Sequence, residues 1–386
     1  MSAVRPKHDH RGMSTSTEKP PSCSASRETS NAPTASFFDD SLRIQTILVP
    51  IDLSDESYRA LEFAIPLAKR FGAAVHVVHV YQGVCQLSWI ATTPVLWPDE
   101  EIARRLAFQV ECRGGARPKT KDCHVRLGKP VEEIIATARE VKADLIVIAS
   151  HGYGGFKHLT LGSTAEKTVR YSPCPILVVR EATRGPIKSE REGIVLEKIL
   201  VPVDFSECAK EGARYASAFA SKVGADLLLM NVTHPADFTA SDPNVVPPEW
   251  CELVDSAQLA AEDELDELVN FLPLTGISAE TEVALGTPIE KLVERTKQSD
   301  IDMVITSTHG DTGLRHVLLG STVEQLVRLA HCPVLVVPSH RRANFDEQLW
   351  EILAKKCAVI RNSCRERRSR IGQICLAQQL ESSMTN

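Results

Sequence analysis

The chain has 386 residues, of which 43% are hydrophobic and 24% charged, and its formal net charge is −6. This length suits two domains with tails, and the composition suits ordinary hydrophobic cores. The net charge gives no general attraction to nucleic acid or membrane, and no apolar run approaches the roughly 20 residues that cross a bilayer. Eleven cysteines without a CxxC pair favour free thiols in a reducing cytoplasm over a disulfide framework or a zinc site. We therefore expect a cytoplasmic protein with no specific nucleic acid or membrane partner.

Residues 1–40 are rich in Ser, Thr, Pro and charge, and this composition predicts a disordered tail. Residues 43–182 then alternate apolar runs with amphipathic stretches, which predicts parallel βαβ units. Ser54 is a candidate cap of the first helix and Gly72 its end. The predicted elements are strand 44–51, helix 54–71, strand 74–80, helix 99–112, strand 122–127, helix 130–141, strand 144–149, helix 164–170 and strand 175–179.

A charged stretch at 183–197 is predicted to be a linker, and residues 198–339 repeat the same order of elements. The basic segment 340–386 is predicted to be a solvated tail, with a docking helix or polyanion contact left open. The predicted elements of the second copy are strand 198–203, helix 209–223, strand 226–232, helix 256–272, strand 280–285, helix 289–298, strand 302–307, a further helix and strand 333–338.

One stretch occurs twice, as SHGYGGFKHLTLGST at 150–164 and as THGDTGLRHVLLGST at 308–322. The two stretches lie 158 residues apart, and the segments ILVPIDLS at 47–54 and ILVPVDFS at 199–206 also correspond. A period this long indicates two tandem domains and not a solenoid.

Each repeated stretch follows a buried strand and leads through glycines into a helix. We expect Ser163 to cap that helix, with Glu166 completing a capping box. Glycines allow close approach of a ligand, and a helix N-terminus presents N–H groups with partial positive charge. The pattern therefore predicts an anion site, most simply for phosphate.

If the first and fourth strands of each copy are neighbours, two loops share one crevice at the carboxyl ends of the strands. Asp52 or Asp204 would then accept from a ribose or base. The phosphate-binding residues would be Gly152, Gly162, Ser163 and Thr164 in the first copy, and Gly310, Gly320, Ser321 and Thr322 in the second. A purely structural interpretation also stands, in which the glycines make turns, the serines cap helices and the aspartates close turns.

These motifs resemble the universal stress protein family in tandem form, over about 43–180 and 196–338. The family's ATP-site pattern is Gly-x2-Gly-x9-Gly-Ser/Thr, and its first glycine is replaced here by Ala149 and Ser307. The resemblance implies two Rossmann-like domains similar to adenosine-nucleotide α-hydrolases, each an α/β fold with a five-stranded parallel sheet of order 3-2-1-4-5 flanked by helices. It also places the adenosine beside Pro50, Asp52, Val80 and Ile148, and beside Pro202, Asp204, Val232 and Thr306.

The resemblance implies an ATP-binding regulator of the stress response, with or without Mg²⁺, and the sequence contains no evident catalytic or metal-binding constellation. Two alternatives stay open: an interaction module with vestigial clefts, and a slow ATP-hydrolysing enzyme. Because family members commonly dimerise through the fifth strand, we expect 176–179 to pair with 334–337 inside the chain as an intramolecular pseudo-dimer. Larger homo-oligomers are compatible with this pairing. Asp311, directly after Gly310, predicts weaker ATP binding at the second site.

Overall fold

The computed structural model describes residues 42–81, 99–113, 118–151, 161–180, 187–189, 193–234, 249–298, 300–308 and 320–338. The predicted tails at 1–40 and 340–386 lie outside these ranges. Among the described residues, no helix is both long enough and apolar enough to span a membrane.

In the described residues, the first copy contains five strands alternating with four α-helices, and a short 3-10 helix (Thr120–Asp122) precedes the third strand. Its first helix begins where Ser54 accepts a hydrogen bond from the Ser57 amide, and it ends at Gly72 in the left-handed conformation (φ 69°), both as predicted. The elements are β1 (Thr46–Pro50), α1 (Asp55–Phe71), β2 (Ala74–Tyr81), α2 (Asp99–Cys112), β3 (Cys123–Leu127), α3 (Pro130–Glu140), β4 (Leu145–Ala149), α4 (Ser163–Tyr171) and β5 (Ile176–Val179).

Between the two copies, the structure forms a short antiparallel hairpin that the sequence analysis did not predict. Its strands are β6 (Ile187–Ser189) and β7 (Gly193–Val195). Ile194 and Leu196 are buried in the same core cluster as the apolar side of α1. Part of the predicted linker therefore belongs to the packed structure.

The second copy repeats the order of the first. Its α6 begins at Glu249, seven residues before the predicted start, directly after a pair of prolines that suit the entry of a helix. The elements are β8 (Lys198–Pro202), α5 (Glu207–Val223), β9 (Asp226–Thr233), α6 (Glu249–Phe271), β10 (Ala279–Leu285), α7 (Pro288–Lys297), β11 (Met303–Ser307), α8 (Ser321–Leu329) and β12 (Val334–Val337).

The strands form one ten-stranded sheet in the order β10-β9-β8-β11-β12-β5-β4-β1-β2-β3. Each half has the predicted order 3-2-1-4-5, and the pairs within each half are parallel. The halves meet where β5 and β12 run antiparallel, with Leu177 opposite Leu335. This is the intramolecular pairing expected from the resemblance, and it confirms that the fifth strands of the two copies face each other.

Contacts beyond the strand pair also join the copies. One hydrophobic cluster contains buried residues of both copies, including Phe63 and Phe219. The rings of Phe71 and Phe219 lie 5.5 Å apart between centroids. Arg70 Nε donates to the Lys222 carbonyl at 2.6 Å, and Arg180 Nη1 donates to the Ala330 carbonyl at 2.7 Å. The two copies therefore share a core.

Candidate functional site

In each copy, the turn after the first strand and the loop after the fourth strand leave the same edge of the sheet. Ile47 pairs with Leu145 in β1 and β4, and Ile199 pairs with Met303 in β8 and β11. These pairs are parallel, so the carboxyl ends of both strands point the same way. This is the position in an open α/β sheet where the strand order reverses and ligands bind.

The turn after β1 is held by Asp52. Its Oδ1 accepts from the Ser54 amide at 3.0 Å and from the Ser54 hydroxyl at 2.5 Å. Between them, Leu53 has a left-handed backbone conformation (φ 71°), which residues other than glycine rarely adopt. Asp52 itself is exposed at the crevice, so it both closes the turn and stands in the position predicted for a ribose or base acceptor.

The second copy repeats this turn closely. Asp204 Oδ1 accepts from the Ser206 amide at 3.2 Å and from its hydroxyl at 2.6 Å, and Phe205 takes the left-handed conformation (φ 62°). A non-glycine residue held there at both sites indicates that the surrounding contacts specify the turn.

A side chain on the second strand of each copy anchors the backbone below this turn. His79 Nδ1 lies 2.8 Å from the Ile51 carbonyl, and Asn231 Nδ2 donates to the Val203 carbonyl at 2.8 Å. Because a carbonyl only accepts, Nδ1 of His79 carries a proton. The sequence alone gives His79 no evident role, although the repeat aligns His79 with Asn231 and Ile51 with Val203.

The start of α4 corrects the predicted cap. Gly162, not Ser163, is the N-cap residue, and as a glycine it has no side chain with which to cap the helix. The Gly162 carbonyl accepts from the Glu166 amide at 2.9 Å, so Ser163 is already the first helical residue and the predicted capping box does not form. In the second copy, Gly320 is likewise the N-cap, and Ser321 is the first residue of α8. Among the described residues, the N-cap of each helix therefore supplies no side chain to the first-turn N–H groups, which suits an anion site.

Gly162 also has a packing role that the sequence analysis did not foresee. Its amide donates to the Ser150 carbonyl at 2.8 Å, and a Cβ added at Gly162 would lie 3.0 Å from that oxygen. The equivalent bond joins the Gly320 amide to the Thr308 carbonyl at 3.0 Å. The glycine thus lets the helix start close to the end of the strand, where both face the crevice.

The residue that replaces the family's first glycine in the second copy packs towards α5. A Cβ added at Gly212 would lie 3.3 Å from Ser307 Cβ, so the extra volume of Ser307 is accommodated by a glycine on the facing helix. The equivalent positions of the first copy hold Ala60 and Ala149, a larger residue on the helix and a smaller one on the strand.

The remaining predicted adenosine contacts lie on the strands that border the crevice. Pro50, Ile148 and Ala149 are buried, and Val80 is half-buried. In the second copy, Thr306 and Ser307 are buried, whereas Pro202 and Val232 are half-buried. Thr164 and Thr322 are the second residues of α4 and α8. Gly152, Gly310 and Asp311 lie outside the described residues.

Tyr58, one turn into α1, interacts electrostatically with Asp52 of the first site. Burial raises the pKa of its hydroxyl, the Arg113 guanidinium opposes that shift, and the Asp52 carboxylate adds to it. The Arg113 guanidinium carbon lies 4.5 Å from the centre of the Tyr58 ring. The described residues contain no group of three or more His, Cys, Asp or Glu side chains that could hold a metal ion.

Comparison with known proteins shows which family the two copies match. The model of the universal stress protein family matches residues 43–180 and 196–338. A universal stress protein of Mycolicibacterium smegmatis is 26% identical over 299 residues, covering 75% of this chain and 96% of the relative. One from Thermus aquaticus is 36% identical over 140 residues, covering 35% of this chain and 98% of the relative.

A solved universal stress protein from Archaeoglobus fulgidus shares the fold, with a TM-score of 0.51 at 22% identity, covering 77% of this chain and 99% of its own. The family model covers most of both halves, and the sheet order within each half is the one that the resemblance implied. The chain therefore belongs to the universal stress protein family, with two copies of the family domain in tandem.

Proposed function

We propose that this chain is an ATP-binding regulator of the stress response, with one nucleotide site in each copy. The observation that carries the proposal is the pairing of a helix N-terminus whose N-cap is glycine with an exposed aspartate at one edge of the sheet. That pairing occurs at Gly162 and Asp52, and again at Gly320 and Asp204.

The residues suit the parts of an adenine nucleotide. The N–H groups at the start of α4, together with the Ser163 and Thr164 hydroxyls, are donors for phosphate oxygens. The Asp52 carboxylate is an acceptor for ribose hydroxyls, and Val80 and Ile148 offer apolar surface for the base. ATP brings a triphosphate, and any Mg²⁺ would be held mainly by that triphosphate.

We assign a binding role and not a turnover role because the residues placed at the crevice are donors, acceptors and apolar walls. Covalent catalysis requires a nucleophile with a positioned base. The Ser150 hydroxyl and His151 Nδ1 lie 2.9 Å apart at the end of β4, and we assign this contact to fixing the loop. The eleven cysteines favour a cytoplasmic location. The junction between β5 and β12 supplies the family's dimer contact within one chain, and larger assemblies are compatible with it.

Substitution of the first helical residue tests the proposal without disturbing the fold. Ser163→Asp and Ser321→Asp place a carboxylate at a helix N-terminus, where it stabilises the helix by about 0.3–1 kcal/mol but repels a phosphate. In equilibrium dialysis with ATP, we expect two sites in the natural protein, one in each single variant and none in the double variant. An unaltered or slightly raised thermal unfolding temperature is the control.

Two outcomes would contradict the proposal. A natural protein that retains no ATP at millimolar concentration would favour the interaction module, which the replacement of the family's first glycine by Ala149 and Ser307 also suggests. A double variant that binds like the natural protein would place the nucleotide elsewhere. Limited proteolysis gives an independent measure, because nucleotide bound at the crevice should protect the domains.

A further inference from the structure

A cluster of four charged side chains joins α4 to α8 across the junction between the copies. Its members are Glu166 and Arg170 of α4, and Glu324 and Arg328 of α8. We call it the junction cluster. Glu166 and Glu324 occupy equivalent positions in the repeat, as do Arg170 and Arg328, so the cluster follows the pseudo-twofold relation of the two domains.

Each arginine lies between two glutamates of different copies. Arg328 Nη2 lies 2.8 Å from a Glu324 carboxylate oxygen and 3.2 Å from one of Glu166. Arg170 Nη2 lies 3.6 Å from Glu166 and 4.0 Å from Glu324. The Nη2 atom of each arginine thus contacts a glutamate of each copy. If it moves with one of the two glutamates, its distance to the other changes.

The cluster is sheltered from solvent. The four side chains are only 23–35% exposed. Arg170 Nε and Arg328 Nε are buried and have no hydrogen-bond partner in the described part of the chain. The arginines are therefore held through their Nη2 atoms, and the charges are screened less than those of exposed pairs.

Both glutamates stand close to the proposed phosphate sites. The Glu166 amide makes the first helical hydrogen bond to Gly162, and the Glu324 amide does the same with Gly320. Each glutamate therefore belongs to the first turn of the helix whose N-terminus would receive the phosphates, within the range over which a charge acts on that helix end. An unneutralised carboxylate there would repel a polyanion.

We propose that Arg328 is a positioning residue for the nucleotide site of the other copy, and that the junction cluster couples the two sites. Arg328 neutralises Glu166 beside the first site, and Arg170 does the same more weakly for Glu324 beside the second. Nucleotide at one site shifts its glutamate, and the shared arginine carries that shift to the other helix. This inference rests on the proposed function.

The test measures ATP affinity at the first site alone, in full-length protein carrying Ser321→Asp. In this background, Arg328→Gln should weaken ATP binding about fivefold, the low end of measured couplings between sites, and the loss should shrink at high salt. Arg328→Lys keeps the charge and should retain most of the affinity. Arg170→Gln is the matched control on the same helix as the site, and its longer contacts predict a smaller effect.

Adding Glu166→Gln separates the electrostatic role from a structural one. If Arg328 acts by neutralising Glu166, the Glu166→Gln/Arg328→Gln pair should bind ATP as well as the Ser321→Asp parent or better. An equal loss with and without Glu166, or no loss from Arg328→Gln, would overturn the inference while leaving the proposed function intact. Absence of ATP binding by the natural protein would instead overturn the proposed function, and the inference with it.

Discussion

Phe219→Ala removes one of the two largest fully buried side chains among the described residues, at the junction between the copies. Phe219 is 0% exposed, and its ring lies 5.5 Å from Phe71 of the first copy and 6.5 Å from Tyr215. Loss of a buried phenylalanine costs about 3–5 kcal/mol. We therefore expect the free energy of unfolding to fall by about that amount.

The location of the loss is more informative than its size. Because the core containing Phe219 includes residues of both copies, the variant should destabilise the first copy as well as its own. In hydrogen-exchange mass spectrometry, peptides that cover β1 should lose protection together with those that cover β8. Faster exchange confined to the second copy would refute the shared core.

Tyr215→Phe is the matched control at the same junction. The Tyr215 hydroxyl is buried and has no hydrogen-bond partner among the described residues, and burial raises its pKa. Removal of an unsatisfied buried hydroxyl costs little and can stabilise by about 1 kcal/mol. A loss as large as that of Phe219→Ala would mean that the junction tolerates no change of any kind.

Three further predictions concern pH, thiols and the two sites. Burial lowers the pKa of His76 and of His124 below the usual 6.5. Near and below that pH the unfolded chain binds more protons than the folded one, so the free energy of unfolding should fall as the pH drops. In His76→Gln/His124→Gln this fall should be smaller, and a pH profile of unfolding that matches the natural protein would contradict this. Burial raises the pKa of Cys174 and Cys332 to about 12, so mass spectrometry should find the exposed Cys112 alkylated before these two, and equal rates would be against the packing described. Asp311→Gly should strengthen ATP binding at the second site by about 1 kcal/mol, measured in the Ser163→Asp background; unaltered affinity would refute the ranking of the sites.

The regular elements were predictable because their signals are local. The apolar run of β4 is buried throughout. Ser54 caps the start of α1 and Gly72 ends it, as serine and glycine commonly do in helices. The sheet order came from the resemblance, because hydrophobic periodicity does not state which strands are neighbours. The hairpin β6–β7 was missed because it lies in a charged segment, and its buried side chains are recognised only through their packing against α1.

The site was predictable in its position but not in its details. Ser163 was predicted to cap α4 because serine is a common N-cap residue. The N-cap position instead lies so close to the Ser150 carbonyl that it requires a glycine, Gly162. The pairs Glu166–Arg170 and Glu324–Arg328 can be found in the sequence as i,i+4 neighbours. Their contact across the copies depends on the register of β5 and β12, which no local pattern reveals.

The measurement that tests the central claim most directly is native mass spectrometry of the full-length protein, purified without added nucleotide and then titrated with ATP. The account predicts species with one and then two bound ATP molecules, and loss of both in Ser163→Asp/Ser321→Asp. A spectrum with no bound ATP at millimolar concentration, or with two ATP molecules still bound to the double variant, would contradict it.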